Sequence, residues 1–246
     1  MRIRSVLIFA ACALSLAPAA FAAKKVKAGA LVKQQFSDTA MGYSLTFPAE
    51  WKVSVKDNSE AYRVVAQQKG FDVPPKYTHA PDYTTIPQIK IWVDTTTLDI
   101  RAFLDSLKST SFRSPQKEAM FEEFDLFNGD FARPTVSTLS LSGGVSARKL
   151  MTRLRYTINV QRENASVADQ VTEFKQGDLI AVKRANRLYL FYFVCERIYY
   201  EALSGVFDGV MNSLTFVDAE AESSSKSALD GASTPAAPTD SGGKSD

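Results

Sequence analysis

The sequence predicts an α+β domain, a mostly antiparallel β-sheet covered by helices on both faces, built as a three-layer α/β/α sandwich. Three observations predict it. Several short segments alternate apolar and polar residues with the two-residue period of half-buried strands. One segment, 188–195 (LYLFYFVC), is apolar on both faces and must therefore be covered on both sides. Two segments of helical period, one starting near residue 100 and one closing the domain, are available to cover it.

The composition agrees with a globular protein: 45% hydrophobic, 23% charged and 11% aromatic residues. Lys and Arg total 29 against 27 Asp and Glu, a net charge of only +2, which argues against a dedicated nucleic-acid binder. Both ends are set apart. Residues 1–22 combine a basic start (Arg2, Arg4), an apolar run from Val6 to Ala17 and the small-x-small triplet Ala20-Phe21-Ala22. That order is expected of a secretory signal peptide cleaved after Ala22, giving a periplasmic or secreted protein. A lipoprotein signal acylated at Cys12 is the lesser alternative, because Phe9 stands where such signals carry Leu. Residues 218–246 hold no aromatic residue and one Leu, so they are expected to form a disordered Ser/Ala/Gly/Pro-rich tail. The domain then spans 30–217.

Within it, Tyr43, Leu45 and Phe47 alternate with Ser44 and Thr46, and Trp51, Val53 and Val55 begin a second alternation. These read as a β-hairpin turning at Pro48-Ala49-Glu50. A further strand is expected over 61–67. Residues 70–87 carry four of the ten prolines and read as a loop. Ile89, Ile91 and Val93 restart a strand. Ile100, Phe103, Leu104 and Leu107 then share a helical face, with Thr96 and Asp99 in the spacing of a capping box. Residues 111–136 read mostly as loop. Strands over 137–141 and 147–158 flank Gly143-Gly144, with Leu150, Thr152, Leu154 and Tyr156 inward. Residues 180–184, the Ala185-Asn186 connection and the aromatic strand form a hairpin. The last helix presents Tyr199, Leu203, Val206, Phe207, Val210 and Leu214 on one side.

Two of these stretches resemble the PsbP-like family. Gly42-Tyr43-Ser44-Leu45-Thr46-Phe47-Pro48-Ala49-Glu50-Trp51 is similar to its opening strand, where a short apolar strand runs into Pro, a turn and Trp. The closing run is similar too, from Leu188 through the helix with Leu203 to Leu214, ending Asn212-Ser213-Leu214-Thr215-Phe216. The resemblance implies an antiparallel sheet between helix layers. It also implies a non-enzymatic accessory or binding role, since its members include a photosystem II extrinsic subunit and bacterial envelope proteins. It transfers no metal, cofactor or partner residue, and none is expected.

Catalytic motifs are sparse. The chain has no Gly-x-Ser-x-Gly, phosphate loop or dinucleotide fingerprint. His79 is the single imidazole, and a Cys195–His79 dyad is the one enzyme alternative, a hydrolase. Against it, a Cys ending an aromatic strand ordinarily behaves as a small hydrophobe. Glu118, Glu122, Glu123, Asp125 and Asp130 could gather a hard cation but lack the spacing of a known calcium loop.

Two surfaces suggest a contact. Between Arg148 and Arg187 stand nine basic and four acidic residues. Lys149, Arg153 and Arg155 share one strand face, and with Arg187 they form a candidate contact for anionic lipid or glycan. Gly205 and Gly209 lie four apart on the last helix, where each costs about 1 kcal/mol relative to Ala, as a close helix–helix contact could require. The sequence therefore points to an exported accessory or binding protein of the cell envelope, with a protein partner or an anionic envelope component as its target.

Overall fold

The structure, a computed structural model, describes residues 29–57, 59, 61–74, 86–107, 115–126, 135–160 and 166–217. The segment expected to be a signal peptide, 1–22 with Cys12, the expected tail 218–246, His79 and Asp130 lie outside the described residues.

The elements run β1 (Ala30–Val32), β2 (Gln35–Asp38), β3 (Tyr43–Thr46), β4 (Trp51–Val55), β5 (Tyr62–Gln68), β6 (Gln88–Thr95), α1 (Ile100–Ser106), α2 (Pro115–Glu123), β7 (Val136–Leu141), β8 (Val145–Val160), β9 (Asp169–Arg184), β10 (Arg187–Glu196), α3 (Arg197–Asn212) and β11 (Thr215–Phe216). They form two antiparallel sheets. The larger has seven strands in the order β4-β5-β6-β10-β9-β8-β7, and the smaller has four in the order β1-β2-β3-β11.

β10 lies in the middle of the larger sheet, between β6 and β9, as its two apolar faces require. Tyr189, Phe191, Phe193 and Cys195 point to one side, into a core shared with Phe36, Tyr43 and Leu45 of the smaller sheet and with Phe207, Val210 and Met211 of α3. Leu188, Leu190, Tyr192 and Val194 point to the other, against Phe103 and Leu104 of α1 and Met120 and Phe121 of α2. Stacked rings join the layers on each side, Phe193 on Phe207 at 5.6 Å and Tyr192 on Phe124 at 5.1 Å between centroids. The α+β class holds. The cover is corrected: one face is closed by the smaller sheet together with α3, not by helix alone.

The expected hairpin at Pro48 is also corrected. β3 pairs with β2 and β11, whereas β4 pairs with β5. Alternation fixes which side of a strand is buried, not its neighbour. Here Phe47 and Trp51 enter the same core from opposing sheets. The Gln34 amide holds the crossing segment by donating to the carbonyl oxygens of Pro48 and, at 3.0 Å, Trp51. By contrast, the β9–β10 hairpin forms through Ala185-Asn186, with Arg184 opposite Arg187 and Ala185 at φ 50°.

Two helical expectations change. Asp99 is the N-cap of α1, its carboxylate accepting from the Ala102 N–H at 2.7 Å. The Thr96 hydroxyl instead accepts from Leu98 N–H. Within 111–136, expected to be mostly loop, α2 forms with Pro115 at its first position, where a missing N–H costs nothing. It buries Met120 and Phe121, and the chain after it buries Phe124 and Leu126.

The smaller sheet is tied to the larger by a buried ion pair. Arg63 of β5 and Asp38 of β2 are each 0% exposed, with Nε to Oδ2 at 2.7 Å. Removing one partner strands the other charge in the core. Asp38→Ala should therefore lose about 3–5 kcal/mol in urea unfolding, while Asp38→Leu combined with Arg63→Met should recover much of that. Equal destabilisation by the single and double changes would show that packing, not charge, is at stake.

Candidate functional site

β8 and β9 are each sixteen residues long, but β10 follows β9 only as far as Lys175, opposite Glu196. Beyond that point, among the described residues, β8 and β9 pair only with each other, from Arg155 opposite Phe174 to Val160 opposite Asp169. At about 3.4 Å per residue this two-stranded arm projects roughly 20 Å past the seven-stranded sheet. One side carries Tyr156 and Val160 packed around buried Ile158. The other is exposed and presents Arg153, Arg155, Thr157 and Asn159 of β8 beside Gln170, Thr172 and Phe174 of β9.

The four basic residues expected to act together are thereby separated. Arg153 and Arg155 are exposed at the base of the arm. Lys149, on the same strand face, lies where α3 covers the sheet. Its Nζ is 2.8 Å from Oδ2 of Asp178, which is fully buried, and 4.0 Å from Oδ1 of Asp208 on α3. The Tyr200 hydroxyl donates to the same Asp178 oxygen at 2.8 Å. Lys149 therefore neutralises a buried carboxylate and offers little charge to a partner. Arg187 is half-buried at the far end of β10, opposite Arg184. Arg153 faces Gln176, eight residues away along β9, or roughly 27 Å at the antiparallel rise. Lys149 thus shares the strand face with Arg153 and Arg155 but is engaged by Asp178, and Arg187 lies away from all three, which leaves Arg153 and Arg155 as the exposed pair.

Sequence reasoning missed two exposed apolar residues here, one opposite Arg155 and the other sharing a cleft with the first. Phe174 is 44% exposed and directly opposite Arg155, and Ile198 in the first turn of α3 is 62% exposed. Together with Glu173, Glu196 and Arg197 they line an open cleft of about 320 Å³. The available signal was Phe174 falling in the outward phase of an otherwise polar strand, Gln170-x-Thr172-x-Phe174. It went unread because 169–177 has too little apolar character to register as a strand.

Gly205 and Gly209 lie on the outward face of α3, and a Cβ built on either meets nothing within 4 Å. No part of the described chain uses the space they leave. Gly205→Ala and Gly209→Ala should each stabilise the protein by about 1 kcal/mol, read from the urea midpoint. A loss of stability would mean that the helix surface is tighter than its geometry shows. Gly177 is different: a Cβ there would lie 2.1 Å from the carbonyl oxygen of Phe193, so only glycine lets β9 and β10 approach.

Cys195 is 0% exposed at the end of β10. Burial, with the negative charges of Glu196 and Asp178 nearby, pushes its thiol up to about 12. The thiolate that a nucleophile needs is disfavoured there. Native protein should therefore resist iodoacetamide at pH 8 and react once unfolded. The unfolded thiol ionises near its ordinary value of about 8.5, so this group's contribution to stability declines as pH rises from there towards the folded value. Rapid native alkylation at pH 8 would contradict this environment. Of the acidic run, Asp125 is committed elsewhere: it accepts a 2.7 Å contact from Lys175, whose ammonium also lies 4.9 Å from the Tyr156 ring centre. Among the described residues no three His, Cys, Asp or Glu side chains are grouped to hold a metal ion, and no helix is long and apolar enough to cross a membrane.

No family model matches the chain, and no curated protein matches it. Among solved structures it is similar to cyanobacterial PsbP (CyanoP) from Synechocystis sp., at 14% identity over 76% of this chain and 94% of that one, with a TM-score of 0.39. It is also similar to LpqN of Mycobacterium tuberculosis, described as involved in cell envelope biogenesis, at 14% identity over 72% and 83% of the two chains, with a TM-score of 0.38. A protein from Bacteroides thetaiotaomicron is similar at 12% identity over 76% and 49%, with a TM-score of 0.34. They assign no activity to this chain.

Proposed function

We propose that the chain is an exported, non-enzymatic binding protein of the cell envelope, and that the base of its arm attaches it to an anionic lipid surface. The observation that carries this reading is the exposure of Arg153 and Arg155 beside the exposed side chain of Phe174, which shares a cleft with exposed Ile198. Positive charge alone is a common solvated surface. Positive charge rimming exposed aromatic and aliphatic groups suits an interface where headgroups meet acyl chains. The signal-peptide pattern of residues 1–22 supports export. The burial of Cys195, which pushes its thiol up, weighs against the Cys195–His79 hydrolase alternative.

The magnitudes describe a reversible attachment. Each Arg near an anionic surface contributes about 1 kcal/mol, and each apolar side chain that leaves water contributes about 1.5–3 kcal/mol. The test is co-sedimentation of the full chain with phosphatidylglycerol vesicles and with phosphatidylcholine vesicles. Binding should favour the anionic vesicles, weaken as salt rises and fall at least about tenfold in Arg153→Glu with Arg155→Glu. Phe174→Ser should weaken it without changing its salt dependence. Equal binding to both vesicle types, or binding that ignores salt, would overturn the lipid reading.

A further inference from the structure

On the opposite side of the larger sheet, a cavity of about 190 Å³ opens between α1, α2 and the strands β6 and β10. Its apolar wall is made by Trp92, Leu188 and Leu190 from the sheet, Phe103 from α1 and Met120 from α2, and Asp94, Thr95, Thr96, Ser106 and Lys117 add a polar side. An apolar cavity of about 150 Å³ is enough to hold benzene, so this one admits a ring or a short branched chain. Asp94 lies at its edge, two residues from Trp92 on the same face of β6. Its carboxylate accepts from the Thr95 N–H at 2.7 Å and from the Trp92 side chain, and among the described residues no cation pairs with it.

We propose that this cavity binds a small organic cation, an ammonium group carried on a hydrocarbon of about six to eight carbons. The hydrocarbon fills the space beside Phe103 and Met120, while the ammonium meets the carboxylate of Asp94 at the rim, next to the Trp92 ring. Charge complementarity selects the sign. Asp94 is half-buried, and burial raises its carboxyl above the ordinary range, a cost that a bound cation offsets. Lys117 also lines the cavity, but its Nζ donates to the carbonyl oxygen of Ser106 at 2.6 Å, and desolvation lowers its pKa. Its charge opposes a cationic ligand, so its removal should strengthen binding. An anionic ligand would require the reverse.

Benzylamine is the probe, with benzyl alcohol and benzoate as its neutral and anionic counterparts. Affinity is measured by calorimetry on the full chain, and the Trp92 indole N–H signal reports the place of binding. Benzylamine should bind saturably and at least about tenfold more tightly than benzyl alcohol. Asp94→Asn, which keeps an acceptor for Thr95, should reduce benzylamine to the level of the alcohol, and Lys117→Met should tighten it. Should Asp94→Asn unfold, Lys117→Met decides alone, because unchanged or weaker benzylamine binding in that variant overturns the proposal. So does equal affinity for amine and alcohol, a preference for benzoate, or no saturable binding up to about 10 mM.

Discussion

One strand constrains everything else. β10 has bulky apolar side chains on both faces, and neither face can be left in water: Phe191, Tyr192 and Phe193 are each 0% exposed. Burying a side chain of this kind contributes about 1.5–3 kcal/mol, so leaving either face open would forfeit several such contributions at once. The strand is therefore placed in the middle of a sheet and needs two separate covers. α1 and α2 supply one; the smaller sheet with α3 supplies the other. The Asp38–Arg63 pair sits where that second cover meets the larger sheet. Because each charge is wholly buried, it fixes one docking geometry: a displaced sheet would leave a bare charge in the core.

The same burial decides which polar residues remain available for function. Asp178 lies under α3 and needs a counter-charge, so Lys149 is drawn inward to it and Tyr200 donates to it as well. Lys175 is held by Asp125. Charges over the body of the sheet are consumed by the packing of the helices. Among the described residues, Arg153, Arg155 and Phe174 face water together where β8 and β9 outrun their neighbours, and in the cavity beside Trp92 the Asp94 carboxylate lies next to apolar side chains. The two proposed sites lie on opposite sides of the larger sheet, so the proposed surface attachment and the proposed ligand binding use different residues.

Much of this was legible in the residues. The alternation of Leu150, Thr152 and Leu154, the Ala185-Asn186 connection and the double-sided aromatic strand all correspond to observed features, because each depends on period or turn chemistry within a few residues. α2 escaped notice because its few apolar residues are flanked by Glu118, Glu122 and Glu123, leaving almost no helical periodicity to read. The outer half of β9 escaped for the complementary reason: exposed on the arm, it has no continuous buried face.

The sequence by itself determined several of the strands and which of their faces are buried, that β10 must be central, and that Cys195 belongs to a core. These are local properties, set by the two-residue and 3.6-residue periods. Tertiary structure alone decided that β3 and β4 belong to different sheets, that Lys149 is engaged beneath α3 while Arg153 on the same strand face is exposed, and that Arg187 lies far from both. The physical reason is that periodicity specifies a direction relative to one strand. Strand partners, charge partners and accessible surface depend on residues distant in the chain, such as Asp178 for Lys149 and Asp38 for Arg63, which only folding brings within a few ångströms.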